Sequence, residues 1–284
     1  MQNQIEVSSP IPGIWRAKFS NPPINLIDLD TISELSHLIA KLESDSDVKV
    51  IIFESGDPDF FLAHYDVLID KARTADMGRG PTGMHPWLDV LVRLARAPVV
   101  SVASIRGRAR GAGSEFVLAC DIRFASAEKA ILGQFEVGVG AVPGGNPMVK
   151  LAALMGRGRA IEVVLGADDF PGALADRYGY VNRAVPDAEL DAFVDRFARR
   201  IASFDKEALV EAKRLIDAAS LPEDAVFPPA LDQFFISAMR PGTKATIARL
   251  VEAGLQRRSD VELNLGQQVA LDAQRRASNG GSRS

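Results

Sequence analysis

The stretch SIRGRARGAGSEFVLACDIRFAS, residues 104–126, decides the fold. It begins inside an apolar run, PVVSVASI (Pro98–Ile105), whose near-continuous apolar character predicts a strand covered on both faces. The next segment, GRARGAG from Gly107 to Gly113, places three glycines and two alanines within seven residues. Small residues there let the backbone approach a ligand closely. They also leave the first N–H groups of the following helix open to an anion or an oxyanion. SEFVLACD then reads as a buried helix and IRFAS as the next strand. The run is not the GxGxxG of a dinucleotide site, and it lacks the Lys-Ser/Thr ending of a phosphate-binding loop.

Working outward, the same change of period recurs. Ile14 to Phe19 alternates like a strand, and NPPINLID (Asn21–Asp28) carries the turn residues that stop it. Asp30 or Thr31 can cap a helix whose apolar positions Ile32, Leu35, Leu38, Ile39 and Leu42 keep helical spacing. DVKVIIFESG is a buried strand ending at Gly56. After DPDFFLAHYD, a polar, Gly-rich stretch from Ala75 to Gly83 predicts a mobile loop. A helix follows over Pro86–Leu94, stapled by Trp87, Leu88, Val90, Leu91 and Leu94, and AILGQ makes a further short strand. Alternating strands and helices predict an α/β layered fold. Beyond Pro143 the chain reads as helical almost throughout, with amphipathic segments such as LDAFVDRFARRIASF and TKATIARLVEAGL. The organisation expected is an α/β core over residues 1–200, a helical region over 201–273 whose apolar faces need cover, and a disordered Gly/Ser-rich tail over 274–284.

The 284 residues carry 33 basic and 37 acidic side chains, a formal charge of −4, which excludes the bulk electrostatic footprint of a nucleic-acid binder. Cys120 is the single cysteine, so no intrachain disulfide and no thiolate-rich metal site can form. His37, His64 and His85 lie far apart in sequence, and no metal site is expected of them. The N-terminus lacks a basic segment followed by an apolar one, and no uncharged run reaches the roughly 18 residues of a membrane span. A cytoplasmic protein with no membrane partner is expected.

Two acidic residues flank the small-residue run. Glu115 falls in the first turn of the apolar helix, and Glu136 is embedded in QFEVGVGAVPGG. Glu115 can simply complement the helix dipole, and Glu136 can pair with a buried arginine. Alternatively, buried carboxyl groups near helix N-termini can be tuned as general acid and base, and two of them can divide those roles.

The stretch from Ser104 to Ser126, followed by GQFEVGVGAVPGG, resembles the signature region of the enoyl-CoA hydratase/isomerase family, also called the crotonase superfamily. NPPINLID, FFLAHYD and FPGALADRYGYVNRAVP extend the resemblance in order, over roughly residues 10–205. It implies a crotonase-like spiral of ββα turns with two sheets, and a helical C-terminal region used for trimerisation, as a trimer or a dimer of trimers. It implies an acyl-CoA thioester substrate, with coenzyme A as part of that substrate and no separate cofactor. Two backbone N–H groups would stabilise an enolate-like thioester oxyanion; by position they are those of Tyr65 and Ala112, in a substrate-binding frame of Ala63, His64, Asp66, Gly111, Gly113 and Gly144. The glutamates of family hydratases correspond to Glu115, which would position and activate water, and Glu136, which would exchange a proton at the α-carbon.

The resemblance thus implies an enoyl-CoA hydratase, with an isomerase or another acyl-CoA lyase or hydrolase of the family, and a non-catalytic CoA-binding member, as alternatives. The sequence departs from the family at identifiable places. Its first oxyanion segment reads Ala63-His64-Tyr65-Asp66 in place of Ala-Gly-Ala-Asp, and Ala112 stands where glycine is common. A histidine in the glycine position calls for a conformation that glycine adopts more easily, and Tyr65 can narrow the acyl pocket. His64 is either a third acid/base group or a structural replacement bonded to a local carbonyl. Asp66 either caps a helix VLIDKAR (Val67–Arg73) or orients the loop. Val67 and Leu68 replace the usual basic residue, and Lys244, Arg249, Arg257 and Arg258 are either CoA-phosphate ligands or a solvated helix face.

Overall fold

The computed structural model describes residues 3–69, 73 and 77–280. Among the described residues, ten strands form two sheets. The six-stranded sheet holds β1 (Ile5–Ile11), β2 (Ile14–Phe19), β3 (Val50–Ser55), β5 (Val100–Ile105), β7 (Ile122–Ser126) and β10 (Arg183–Val185), in the order β1-β2-β3-β5-β7-β10. The four-stranded sheet is ordered β4 (Phe60–Leu62), β6 (Arg108–Arg110), β8 (Ile131–Gly133) and β9 (Asp169–Pro171). β2, β3, β5, β7 and β10 run parallel, and β1 pairs antiparallel with β2.

Each turn of the chain lays one strand in each sheet: β3 then β4, β5 then β6, β7 then β8. This is the expected spiral of ββα turns. Only Arg106 and Gly107 separate β5 from β6, so the strand that ends in the large sheet delivers Arg108–Arg110 directly to the small one. The helices that close these turns include α1 (Leu29–Ser44), α2 (Pro86–Arg96) and α3 (Ala112–Ala119). They bury Ile32, Leu35, Trp87, Leu91, Phe116 and Val117 in one core with Ile51, Phe53, Ala103 and Ile105 of the parallel strands. Burial of these strands on both faces is why they read as apolar runs without alternation.

Downstream lie α4 (Pro147–Met155), α5 (Arg157–Gly166), α6 (Gly172–Tyr178), α7 (Leu190–Ala202), α8 (Lys206–Ser220), α9 (Phe227–Ala238), α10 (Pro241–Ala253), α11 (Asp260–Leu263) and α12 (Leu265–Gly280). The amphipathic α7 covers the other face of the large sheet, placing Leu190, Val194 and Ala198 on Ile14, Val50, Ile52 and Val102. Leu250, Leu255, Val261, Leu265 and Val269 pack back on Phe135, Val139 and Ala141, so α10 to α12 return to the core beside the segment that carries Glu136.

Several sequence expectations are corrected. Asp28, not Asp30 or Thr31, caps α1: its carboxylate accepts from the Thr31 N–H at 2.8 Å, and Thr31 answers as the N3 partner of a capping box. β1 was not anticipated, because its side chains are nearly all exposed and leave no apolar face to read. β9, three residues, interrupts the region expected to be helical beyond Pro143, and β10 is the later strand that the family resemblance implies in FPGALADRYGYVNRAVP. The described part of the Ala75–Gly83 segment is fastened to α2 through Asp89, which accepts from Thr82 N at 2.8 Å and Thr82 Oγ1 at 2.7 Å. The rest of that segment, and part of the helix expected over Val67–Arg73, lie outside the described residues. Residues 274–280, expected to be disordered, continue α12; Arg276 pairs with Asp272 one turn back, and Asp272 also holds Arg249.

Candidate active site

β6 ends at Arg110, Gly111 takes a left-handed φ of +51°, and α3 begins at Ala112. This sharp break between strand and helix aims the first N–H groups of α3 out of the helix, unpaired within it by position. Gly111 is required twice over, since a Cβ there would also lie 2.6 Å from Glu136 Oε1. The preceding turn of the spiral lies alongside. β4 pairs with β6, the Arg110 N–H donates to the Ala63 carbonyl at 3.3 Å, and Gly113 sits so tightly on the Leu62 carbonyl that no side chain fits. The structure therefore brings Ala63, His64 and Tyr65 beside Gly111, Ala112 and Gly113.

On its other side this segment pairs with residues 25–27: Ile27 N donates to His64 O at 2.8 Å, and Asp66 N donates to Ile27 O at 2.9 Å. In a trans peptide the C=O and N–H point in opposite directions. The Tyr65 N–H is therefore turned away from Ile27, toward the side on which β6 and α3 lie.

Glu115 is buried in the first turn of α3. Its Oε2 accepts from the Trp87 indole N–H at 2.7 Å and its Oε1 from the Gly145 N–H at 2.7 Å. Burial pushes the Glu115 carboxyl above the usual range, and those two donors pull it partly back. Glu136 opens a short 3-10 helix, Glu136–Val139, and is also buried. Its Oε2 has no hydrogen-bond partner among the described residues. Burial, reinforced by the negative charge of Glu115, raises Glu136 to about 8. The two carboxyl groups thus differ by environment: Glu115 has two donors that favour its ionised form, whereas Glu136 is protonated at neutral pH. No arginine pairs with Glu136 among the described residues, which removes the structural alternative for that residue.

Gly144 lies against Leu231 and Phe234 of α9, so it forms the seam between the Glu136 segment and the C-terminal helices. His64 is 1 % exposed and both ring nitrogens are engaged, Nδ1 with the Tyr65 carbonyl at 2.8 Å and Nε2 with Glu262 Oε1 at 2.9 Å. It is the structural replacement, and no ring nitrogen is left to serve as a third acid/base group. Its φ is not in the left-handed region, so this histidine does not have to imitate a glycine. Asp66 Oδ1 accepts from Leu68 N and from Gln256 Nε2, which ties the loop to the C-terminal region. Arg249 is held by Asp272, Arg258 by Asp57 and Asp59, and Arg257 by the carbonyls of Val251 and Glu252, while Lys244 is exposed.

Sequence reasoning named both glutamates but not the donors that bond Glu115. Trp87 was legible only as an apolar staple, and nothing in the spacing announced that its indole N–H meets Glu115 across 28 residues. Gly145 is the second glycine of the VPGG turn, a visible signal. Glu262, in SDVEL, carried none.

The family model for enoyl-CoA hydratase/isomerase matches residues 12–227. The chain belongs to the enoyl-CoA hydratase/isomerase family. Among relatives, it is 31% identical over 194 residues to the short-chain-enoyl-CoA hydratase of Clostridium acetobutylicum, covering 68% of this chain and 73% of that one. It is 31% identical over 180 residues to the crotonyl-CoA hydratase of Syntrophomonas wolfei, covering 63% and 68%. A crystal structure of a candidate enoyl-CoA hydratase from Streptomyces avermitilis superposes with a TM-score of 0.89 at 42% identity, over 94% of this chain and 96% of that one. These likenesses place the chain in the crotonase fold and in a family of acyl-CoA enzymes. No helix among the described residues is long and apolar enough to cross a membrane.

Proposed function

We propose that this family member adds water across the double bond of a short-chain 2-enoyl-CoA. The observation that carries the reading is the unequal pair of buried carboxyl groups, Glu115 with two hydrogen-bond donors and Glu136 raised to about 8. The Glu115 carboxylate takes a proton from water as its oxygen bonds to the β-carbon. The C=C electrons pass onto the thioester, whose oxygen becomes an oxyanion between the N–H groups of Tyr65 and Ala112. Collapse of that enolate draws the Glu136 proton to the α-carbon, and transfer of a proton from Glu115 to Glu136 through solvent resets the site. Each preorganised donor aimed at the oxyanion contributes about 3 to 4 kcal/mol. A double-bond isomerase needs only one carboxyl group to carry the proton, so the presence of both favours hydration.

The short acyl chain is supported by the names of the Clostridium and Syntrophomonas relatives and by the bulk of Tyr65 in the oxyanion segment. Coenzyme A enters as part of the substrate, and no further cofactor is called for. Assembly as a trimer or dimer of trimers fits the apolar side chains left exposed on α8 and α9, Leu215, Ile216, Phe235 and Ile236. A cytoplasmic location is part of the same reading. Purified protein should hydrate 2-butenoyl-CoA, followed by loss of the enoyl-thioester absorbance, and Glu136→Gln should lower kcat by about 100-fold or more. A panel of 2-enoyl and 3-enoyl thioesters that meets no turnover would overturn the proposal, and turnover of 3-enoyl substrates alone would replace it by isomerisation. Light scattering that gives a monomer would remove the trimer.

A further inference from the structure

His64 is the largest departure from the family pattern at the oxyanion site, and its surroundings are built rather than incidental. A carbonyl oxygen can only accept, so the 2.8 Å contact with Tyr65 O puts a proton on Nδ1. Glu262 Oε1, which also accepts from Gln256 N at 2.6 Å, puts a proton on Nε2 across 2.9 Å. Both ring nitrogens donate, which is the hydrogen-bonding pattern of an imidazolium.

The charged groups around the ring come from several elements. Glu262 approaches from α11, its side chain fully buried. Arg110 approaches from β6, paired with Asp169 of β9 by two bonds of 2.6 Å, and donates to the Glu262 carbonyl at 2.6 Å. Asp66, two residues on, is bridged to Gln256 at 2.5 Å. The uncharged Phe135 ring closes the remaining side, 5.4 Å from the imidazole. Burial alone would depress the imidazole, and Arg110 works the same way, but the Glu262 carboxylate outweighs them and raises it above 6.5.

Both peptide groups flanking Tyr65 are fixed by these contacts. The 64–65 peptide is held by Ile27 N on the His64 carbonyl, and the 65–66 peptide by the imidazole on the Tyr65 carbonyl and by Asp66 N on Ile27 O. Only the imidazole contact in that set involves a titratable side chain, and only that one reaches the C-terminal region.

We infer that His64 is a positioning residue for the oxyanion site, an imidazolium clamped between the Tyr65 carbonyl and the Glu262 carboxylate that makes the orientation of the Tyr65 amide depend on the α10–α11 segment. This rests on the hydratase reading for its kinetic part and on the geometry alone for its protonation part. Loss of the clamp leaves the two Ile27 bonds and loosens only the Tyr65 carbonyl end of the segment, so it acts on turnover more than on binding.

The test combines the imidazole 15N spectrum of the wild-type protein between about pH 5 and 9 with hydration kinetics of E262Q and H64Q. The His64 ring should show two protonated nitrogens at pH 7 in the wild type. E262Q should lower kcat about tenfold while KM stays within about threefold, and should move the alkaline limb of the rate profile down by about one pH unit. H64Q, whose amide can still donate to the Tyr65 carbonyl, should keep only the alkaline limb set by Glu136 near pH 8, and the double variant should be no worse than the poorer single one. A neutral His64 ring at pH 6.5, or E262Q with wild-type kcat and pH profile, would overturn the inference; the first reading needs no variant to fold. A doubly protonated ring in a protein that hydrates no thioester would leave the clamp standing and strike down the hydratase reading instead.

Discussion

Replacing Glu136 by glutamine should stabilise the protein even as it lowers turnover by about 100-fold or more, and the gain should grow with pH. The carboxyl group ionises near 4.5 in an unfolded chain and near 8 in the folded one. Between those values the native state binds a proton that the unfolded state releases, so stability falls as pH rises, by about 1.4 kcal/mol for each pH unit crossed. At pH 7 the penalty approaches about 3 kcal/mol, and below about pH 4.5 it vanishes because both states are protonated. Glutamine keeps the shape and removes the titration. Against this stands an amide with no partner at the Oε2 position, which costs about 1 to 2 kcal/mol at every pH. The net gain at pH 7 is about 1 to 2 kcal/mol, or a rise in Tm of about 2 to 8 °C for a chain of this size. At pH 5 the unpaired amide dominates, and the variant should be no more stable than the wild type. Thermal melts of both proteins from about pH 5 to 8.5 measure the difference. If the two Tm curves run parallel across that range, Glu136 titrates as an ordinary surface carboxylate, and its assignment as the protonated partner collapses.

Trp87→Phe keeps the bulk of the ring but removes the 2.7 Å donor to Glu115, so the Glu115 carboxyl should rise; kcat should drop about tenfold and the acid limb of the kcat/KM profile should move to higher pH. Gly111→Ala forces a Cβ into a φ of +51° and to within 2.6 Å of Glu136 Oε1, and denaturant unfolding should show a loss of about 1 to 3 kcal/mol together with slower turnover. The His64–Glu262 pair should contribute stability in a bounded pH window. His64 is raised above 6.5, so its share is complete below that value and lost as pH climbs through the folded pKa. Glu262 is lowered below 4.5, because the attraction of His64 and the bonds it accepts outweigh burial, so its share is complete above that value and lost as pH falls through the folded pKa. Urea melts of wild type and E262Q should therefore differ most between about pH 4.5 and 6.5, and a difference independent of pH would contradict the ionised pair.

How much of this was legible in the sequence follows from what each residue contributes. The parallel strands were readable because both faces are buried: Val50, Ile51, Ile52 and Phe53 are apolar without a break. β1 was not, since a strand whose side chains are nearly all exposed is specified by backbone pairing with β2, which no side-chain pattern reports. The glycine-rich turn was readable because a left-handed residue before a helix leaves a compositional mark at Gly111. The last turns of α12 were hidden because Asn279 and Gly280 are poor helix formers, whereas pairs such as Asp272 with Arg276 act through the folded helix.

The site divides along the same line, and the division explains why two identical side chains can do opposite work. Nothing in the letters at positions 115 and 136 distinguishes an acid from a base. The distinction is made by Trp87 and Gly145, which meet Glu115 from 28 and 30 residues away, and by the lack of a partner at Glu136 Oε2 among the described residues. Hydrogen bonds that favour a carboxylate and desolvation that disfavours it are opposing effects on one equilibrium, so supplying two donors from other segments to one buried glutamate and leaving an oxygen of the other unpartnered separates their pKa values. The like charge of Glu115 then widens the gap, because an ionised neighbour makes the second ionisation harder. On the proposed reading, a pair built this way has its roles set before substrate arrives: the carboxyl with two donors from other segments would accept a proton from water, and the one whose Oε2 has no partner would still have a proton to give.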